Sequence, residues 1–173
     1  IDISGKLTVD LRNGSNNRGI SSQGSVITLD QVETRDNLRI VSDIGSRLPI
    51  YCTSQGKVFL AHMSRTSAEA LLRAQHMTQF TPHTITDLTA LMQEIDLCRT
   101  DGYAIENGEY KIGLRSISAP VYTVEGKARY TVGVIGMFRS TRSDEFLAAV
   151  EQVCATASMI STALGYRKTE ELL

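Results

Sequence analysis

Residues 114–122 (LRSISAPVY) and 129–138 (RYTVGVIGMF) alternate in character with a period of two, as extended strands do. In the first run Ile117, Ala119 and Val121 share one face, and Ser116, Ser118 and Pro120 share the other. In the second, Tyr130, Val132, Val134 and Gly136 oppose Thr131, Gly133, Ile135 and Met137. The apolar faces need cover, and residues 143–164 offer it. Phe146, Val150, Val153, Ala157, Ile160 and Leu164 recur there at steps of four and three, predicting a long helix that packs on the strands and stops at Gly165. The opposite faces mix Ser, Thr and Gly with single hydrophobes. Gly inside a strand suits close approach by another chain or a ligand, so this side predicts either a small-molecule pocket or a face covered by the middle helices.

The rest of the chain reads as mixed helix and strand. Ile3, Leu7 and Leu11 predict a helix over residues 1–13, followed by a turn at NGSNN (13–17). Strands are expected at 18–22, 25–33 and 38–43, the first two as a hairpin. A helix should start near Thr53 or Ser54 and bury Val58, Leu60 and Ala61. Thr66 with Glu69 forms a capping-box pattern for a second. Thr86 or Asp87 should cap a third, with Leu88, Leu91, Met92 and Ile95 as its apolar stripe and Gly102 as its stop. A strand at 102–106 completes the set. Strands in two runs, with helices between and at both ends, predict an α+β fold: a central antiparallel sheet flanked by helices.

A chain of 173 residues suits one domain with a real core. Its net charge of −1 argues against gripping a phosphate backbone unaided. No uninterrupted apolar run approaches the roughly 20 residues of a membrane span, and the first residues lack signal-peptide character, so no membrane role is expected. Cys52, Cys98 and Cys154 are odd in number and widely spaced, which suits reduced thiols in the cytoplasm. The chain lacks an initiator Met and starts abruptly, as an excised fragment would.

Catalysis and metal binding find little support. Ser116 has no Gly-x-Ser-x-Gly elbow and no His nearby in sequence, so a nucleophile lacks its base. A Cys52–His62 dyad is conceivable, but Cys52 reads better as a small buried hydrophobe. His76 and His83 flank a loop, and no Cys-x-x-Cys or His-x-x-x-His spacing marks a metal site. Arg115 beside Glu106 or Glu109 reads as a solvated edge pair; Glu109 and Lys111 read as a polar edge, with Glu109 as the alternative structural partner that fixes the loop.

The segment 102–136, GYAIENGEYKIGLRSISAPVYTVEGKARYTVGVIG, resembles the signature region of the IclR family of bacterial transcription regulators. LPIYCTSQGKVFLA (48–61) resembles the family's second signature, a Pro-containing loop leading into a Gly-Lys helix, and HTITD (83–87) and STALGY (161–166) extend the likeness. The resemblance identifies an effector-binding domain of GAF-like fold, with a curved sheet. It implies one domain over residues 1–173, no cofactor, and no catalysis. A homodimer or homotetramer is implied too, with operator DNA contacted only through an N-terminal winged helix-turn-helix that this chain lacks. A stand-alone GAF-like binding module, or a small hydrolytic enzyme on the same scaffold, is the competing reading.

The effector implied is a small organic or aromatic acid. By resemblance, its carboxylate falls to the main-chain amides of Ser54 and Gln55, at a helix start where the positive end favours an anion. Glu106 stands where Asp is commoner, and Ser116 where the family has Cys. Gly133 and Ile135 replace two serines, and Ile40, Leu48 and Leu114 form an apolar patch. Without those serine hydroxyls, with Ile135 adding apolar wall and Gly133 adding room, an effector bulkier or more apolar than a two- or three-carbon keto acid is expected, with a hydroxyl donating to Glu106.

Overall fold

The computed structural model describes residues 3–10, as backbone alone, together with residues 24–32 and 44–167. Six strands form one sheet: β1 (Ile3–Asp10), β2 (Ser25–Val32), β3 (Arg47–Pro49), β4 (Ala104–Asn107), β5 (Arg115–Tyr122) and β6 (Ala128–Gly136). Their order is β3-β2-β1-β6-β5-β4, and every neighbouring pair is antiparallel. Helices α1 (Ser54–Ala61), α2 (Arg65–Arg73), α3 (Leu88–Asp101) and α4 (Asp144–Ala163) complete the fold. The expected layout, an antiparallel sheet flanked by helices with a long one at the C-terminal end, is the one observed.

The sheet separates two cores. On one face Ile117, Ala119 and Val121 of β5 pack with Phe146, Val150, Val153 and Ala157 of α4, and Tyr130, Val132 and Val134 of β6 join them. These are the strand faces that the alternation assigned to the last helix. On the other face α1, α2 and α3 bury Val58, Leu60, Leu72, Leu91 and Ile95 against Val26, Leu48 and Ala104. Ser143 caps α4 by accepting the Phe146 amide, and Gly165 takes a left-handed φ of 83° beyond its end. The apolar seam ends sooner than its sequence suggests, for Leu164 lies past the helix and is 44% exposed. By length and composition α4 could cross a membrane, but its apolar stripe is core here.

Two expectations change, and one open alternative is resolved. Residues 3–10 form a strand, not a helix, and occupy the middle of the sheet, paired with β2 on one side and β6 on the other. Ladders on both edges outweigh a helical spacing resting on three residues, and ISGKLTVD also alternates with period two. Helix α2 is capped by Ser64, which accepts the Ser67 amide at 3.2 Å; Glu69, the proposed capping partner of Thr66, instead pairs with Arg65 one turn away. Asp87, not Thr86, caps α3. The strands expected at 18–22 and 38–43, and the turn at 13–17, lie outside the described residues.

Candidate functional site

The N-terminus of α1 meets the sheet where the mixed faces of β4, β5 and β6 lie. Thr53 is the cap: its hydroxyl accepts the Gly56 amide at 3.2 Å and donates to the Pro49 carbonyl at 2.7 Å. Ser54 and Gln55 therefore occupy the first two helical positions, whose amides no intrahelical carbonyl can reach. Gly56 lets the preceding loop close on the helix, since a Cβ there would lie 2.0 Å from the Ile50 carbonyl oxygen. All eight residues of α1 are buried.

Register brings the polar side chains together. Glu106 pairs with Ser116 across β4 and β5, Ser116 with Ile135 and Ser118 with Gly133 across β5 and β6. Ser54 Oγ lies 2.9 Å from Ser116 Oγ and 2.8 Å from Ser118 Oγ, and Ser116 Oγ donates to Glu106 Oε2 at 3.1 Å. Each hydroxyl has one proton, so with Ser116 donating to Glu106, the Ser54–Ser116 bond takes the Ser54 proton, in competition with Gln55 Oε1 at 3.4 Å, and Ser118 donates to Ser54. Protonating Glu106 permits the reverse order. The row is thus a hydrogen-bond relay whose polarity follows one carboxyl group. Gly133 does provide room, but Ser118 uses it: a Cβ at Gly133 would sit 2.3 Å from both Ser118 Oγ and the Ile117 carbonyl oxygen.

Glu106 is 2% exposed, and its Oε1 accepts the amides of Glu109 at 2.6 Å and Tyr110 at 3.1 Å. Burial pushes its carboxyl up to about 7, opposed by the Tyr110 amide and reinforced by the neighbouring charge of Glu109. A folded-state value above the unfolded one favours the folded state at low pH. The contribution is full below about 4.5 and is lost as pH rises through about 7, on the order of 3 kcal/mol in all. The midpoint of thermal unfolding is expected to fall between about pH 5 and about pH 8, and Glu106→Gln to flatten that slope. An unchanged slope in the variant would place the titration elsewhere.

Lys57 is what sequence reasoning missed. It is 1% exposed, donates to Glu109 Oε1 at 2.6 Å and to the Ile105 carbonyl at 3.2 Å, and lies 3.5 Å from Glu94. Glu109 is therefore no polar edge: it is 4% exposed, and its other oxygen has no partner. Burial raises the Glu109 carboxyl and Lys57 opposes the rise. Thr81 and Thr84 fasten the loop by donating to the carbonyls of Gly108 and Glu109 at 2.7 and 2.6 Å. The available signal was a single Lys between Gly56 and the apolar run VFLA (58–61).

Other candidates separate. Gln55 is buried beside Ser54, and Ile135 is half-buried opposite Ser116. Leu48 belongs to the core under α1–α3 from the far strand β3, whereas half-buried Leu114 precedes β5; Ile40 lies outside the described residues. Arg115 donates to the Phe138 carbonyl and forms no ion pair with either acid. Burial pushes the thiols of Cys52 and Cys98 up to about 12, which removes nucleophilic character. His62 sits at the opposite end of α1 from Cys52, bonded to Tyr122 Oη. Among the described residues no three metal-ligating side chains come together.

The chain resembles known proteins over most of its length. It is 28% identical over 151 residues to the HTH-type transcriptional repressor AllR of Escherichia coli K12, covering 87% of this chain and 56% of that protein. The crystal structure of the Agobacterium tumefaciens repressor BlcR superimposes with a TM-score of 0.80 at 26% identity, over 96% of this chain and 61% of that one. The C-terminal domain of the Escherichia coli regulator KdgR superimposes with a TM-score of 0.76 at 26% identity, covering 95% and 88%. The chain thus spans little more than half the length of the curated relatives it matches. Residues 13–162 match the family described as bacterial transcriptional regulator IclR C-terminal, and the chain belongs to that family.

Proposed function

We propose that residues 1–173 are the effector-binding domain of a cytoplasmic bacterial transcription regulator, and that the effector is a hydroxylated or aromatic carboxylate. The observation that carries this reading is the buried row Ser54–Ser116–Glu106 beneath the start of α1. The Ser54 and Gln55 amides offer donors and a positive helix end to a carboxylate. Glu106, titrating near neutrality, accepts from or donates to an effector hydroxyl. Half-buried Ile135 supplies apolar wall. AllR and BlcR are named repressors rather than enzymes, which agrees with a site made for binding.

The domain self-associates as a homodimer or homotetramer, and operator DNA is contacted by a separate N-terminal domain. The near-neutral charge of this chain fits that division. An effector that binds one arrangement of subunits more tightly shifts the population toward it and changes operator affinity.

Isothermal titration against keto, sugar and hydroxyaromatic acids is expected to find the tightest binders among the last. Ser116→Ala and Glu106→Gln should each weaken such a ligand about tenfold, the loss of one buried hydrogen bond. Binding of the smallest keto acids alone, or full affinity in both variants, would sink the assignment.

A further inference from the structure

At the sheet edge opposite Glu106, a cleft of about 500 Å³ opens between β3 and the chain that leaves α2. That size suits a small organic ligand. Its chemistry is one-sided. Arg47 reaches it from β3, and no ion pair or hydrogen bond engages that guanidinium among the described residues. Gln75 lines the other wall, with its Nε2 buried and without an acceptor. His76 adds an imidazole, and no Asp or Glu is among the described lining residues. A chain of net charge −1 thus gathers a guanidinium, an amide and an imidazole in one place with no carboxylate among the described lining residues.

The remaining wall is flat and apolar. The rings of Tyr51 and Phe80 lie 6.3 Å apart and 20° from parallel, and Phe80 is 44% exposed. The Tyr51 hydroxyl already donates to the Thr78 carbonyl at 2.9 Å, so the residue offers the cleft its ring. Gly24 closes the floor against Gln75: a Cβ there would fall 1.3 Å from Gln75 Nε2, which fixes the amide in place.

We infer that the cleft bounded by Arg47, Gln75, Tyr51 and Phe80 is a second binding site, for a small aromatic carboxylate. The carboxylate accepts from the Gln75 amide and the Arg47 guanidinium, a charge-assisted geometry that suits planar anions, and the ring lies against Phe80. Ser54, Gln55, Glu106 and Ser116 take no part in lining it, while Leu48, expected from sequence at the effector site, lines this cleft instead. Its rim continues into the α1 start, because the Ile50 amide donates to the Gly24 carbonyl at 3.0 Å and Thr53 to Pro49. An occupant therefore bears on the segment that positions the Ser54 and Gln55 amides.

The test is a fluorine NMR titration of this chain with 4-fluorobenzoate, using 4-fluorobenzamide as the neutral counterpart. Saturable binding of the carboxylate and not the amide is expected. Arg47→Ala, an exposed substitution that breaks no side-chain bond among the described residues and should leave the circular dichroism unchanged, should weaken it about tenfold. Ser116→Ala should leave this component of binding intact. A wild-type titration with no component that Arg47→Ala removes and Ser116→Ala preserves overturns the inference. Loss in Ser116→Ala alone would place the probe solely beside Glu106, which overturns the second site while favouring the first.

Discussion

Lys57→Ala is expected to destabilise the domain by about 3–5 kcal/mol, the penalty for removing one partner of a buried ion pair. Lys57 Nζ sits 2.6 Å from Glu109 Oε1 with both side chains enclosed, and it is the buried cation beside that carboxylate. Glu109 Oε2 already lacks a partner, and Glu106 is close enough for the Glu109 charge to raise its carboxyl. Without the ammonium, two acids share one buried space, and at least one must bind a proton for the fold to persist. The loss should therefore be larger at pH 8 than at pH 5, since the deprotonated state is the one left uncompensated. Equilibrium urea unfolding at both pH values measures it. Lys57→Met combined with Glu109→Gln should recover much of the stability, because both charges then leave together. A loss below about 1 kcal/mol, or no recovery in the double variant, would show that the pair contributes as weakly as an exposed one.

How much of this was legible in the sequence depends on how many partners each element has. Strands β5 and β6 and helix α4 carry a clear period and a stop, so their apolar faces could be matched before any contact was known. Strand β1 could not be read that way, because its place in the sheet comes from ladders to β2 and β6, distant in sequence. The polar side of the sheet was legible as a face but not as a network. Ser118 had no assigned role, yet register sets it opposite Gly133 and within 2.8 Å of Ser54. The pairing of Lys57 with Glu109 was illegible for a related reason: a charged residue defaults to solvent until its counter-ion, 52 positions away, is known to share its pocket.

Gly56→Ala sets two backbone effects against each other, and magnitudes decide between them. Alanine gains about 1 kcal/mol over glycine in a helix interior. Overpacking typically costs about 1–3 kcal/mol when neighbours can yield. Here the neighbours are the carbonyl oxygen of Ile50 at 2.0 Å and its carbonyl carbon and Cα at 2.5 Å, main-chain atoms that no rotamer change can move. Ile50 is further tied to Gly24 through its amide, and Thr53 to Pro49, so the loop cannot retreat without breaking those bonds. The expected outcome is a net loss of at least about 2 kcal/mol in urea unfolding. Ligand binding should suffer too, because displacing the loop from α1 moves the Ser54 and Gln55 amides that the proposed carboxylate site requires. A control at Gly113 separates strain from clash: its φ of 82° disfavours alanine, but no atom lies within 4 Å of a Cβ there, so stability should fall by about 1–2 kcal/mol while affinity holds. If Gly56→Ala matched or exceeded the wild-type stability, helix propensity would outweigh the contact, and the close seating of the loop on α1 could not be what fixes the helix start.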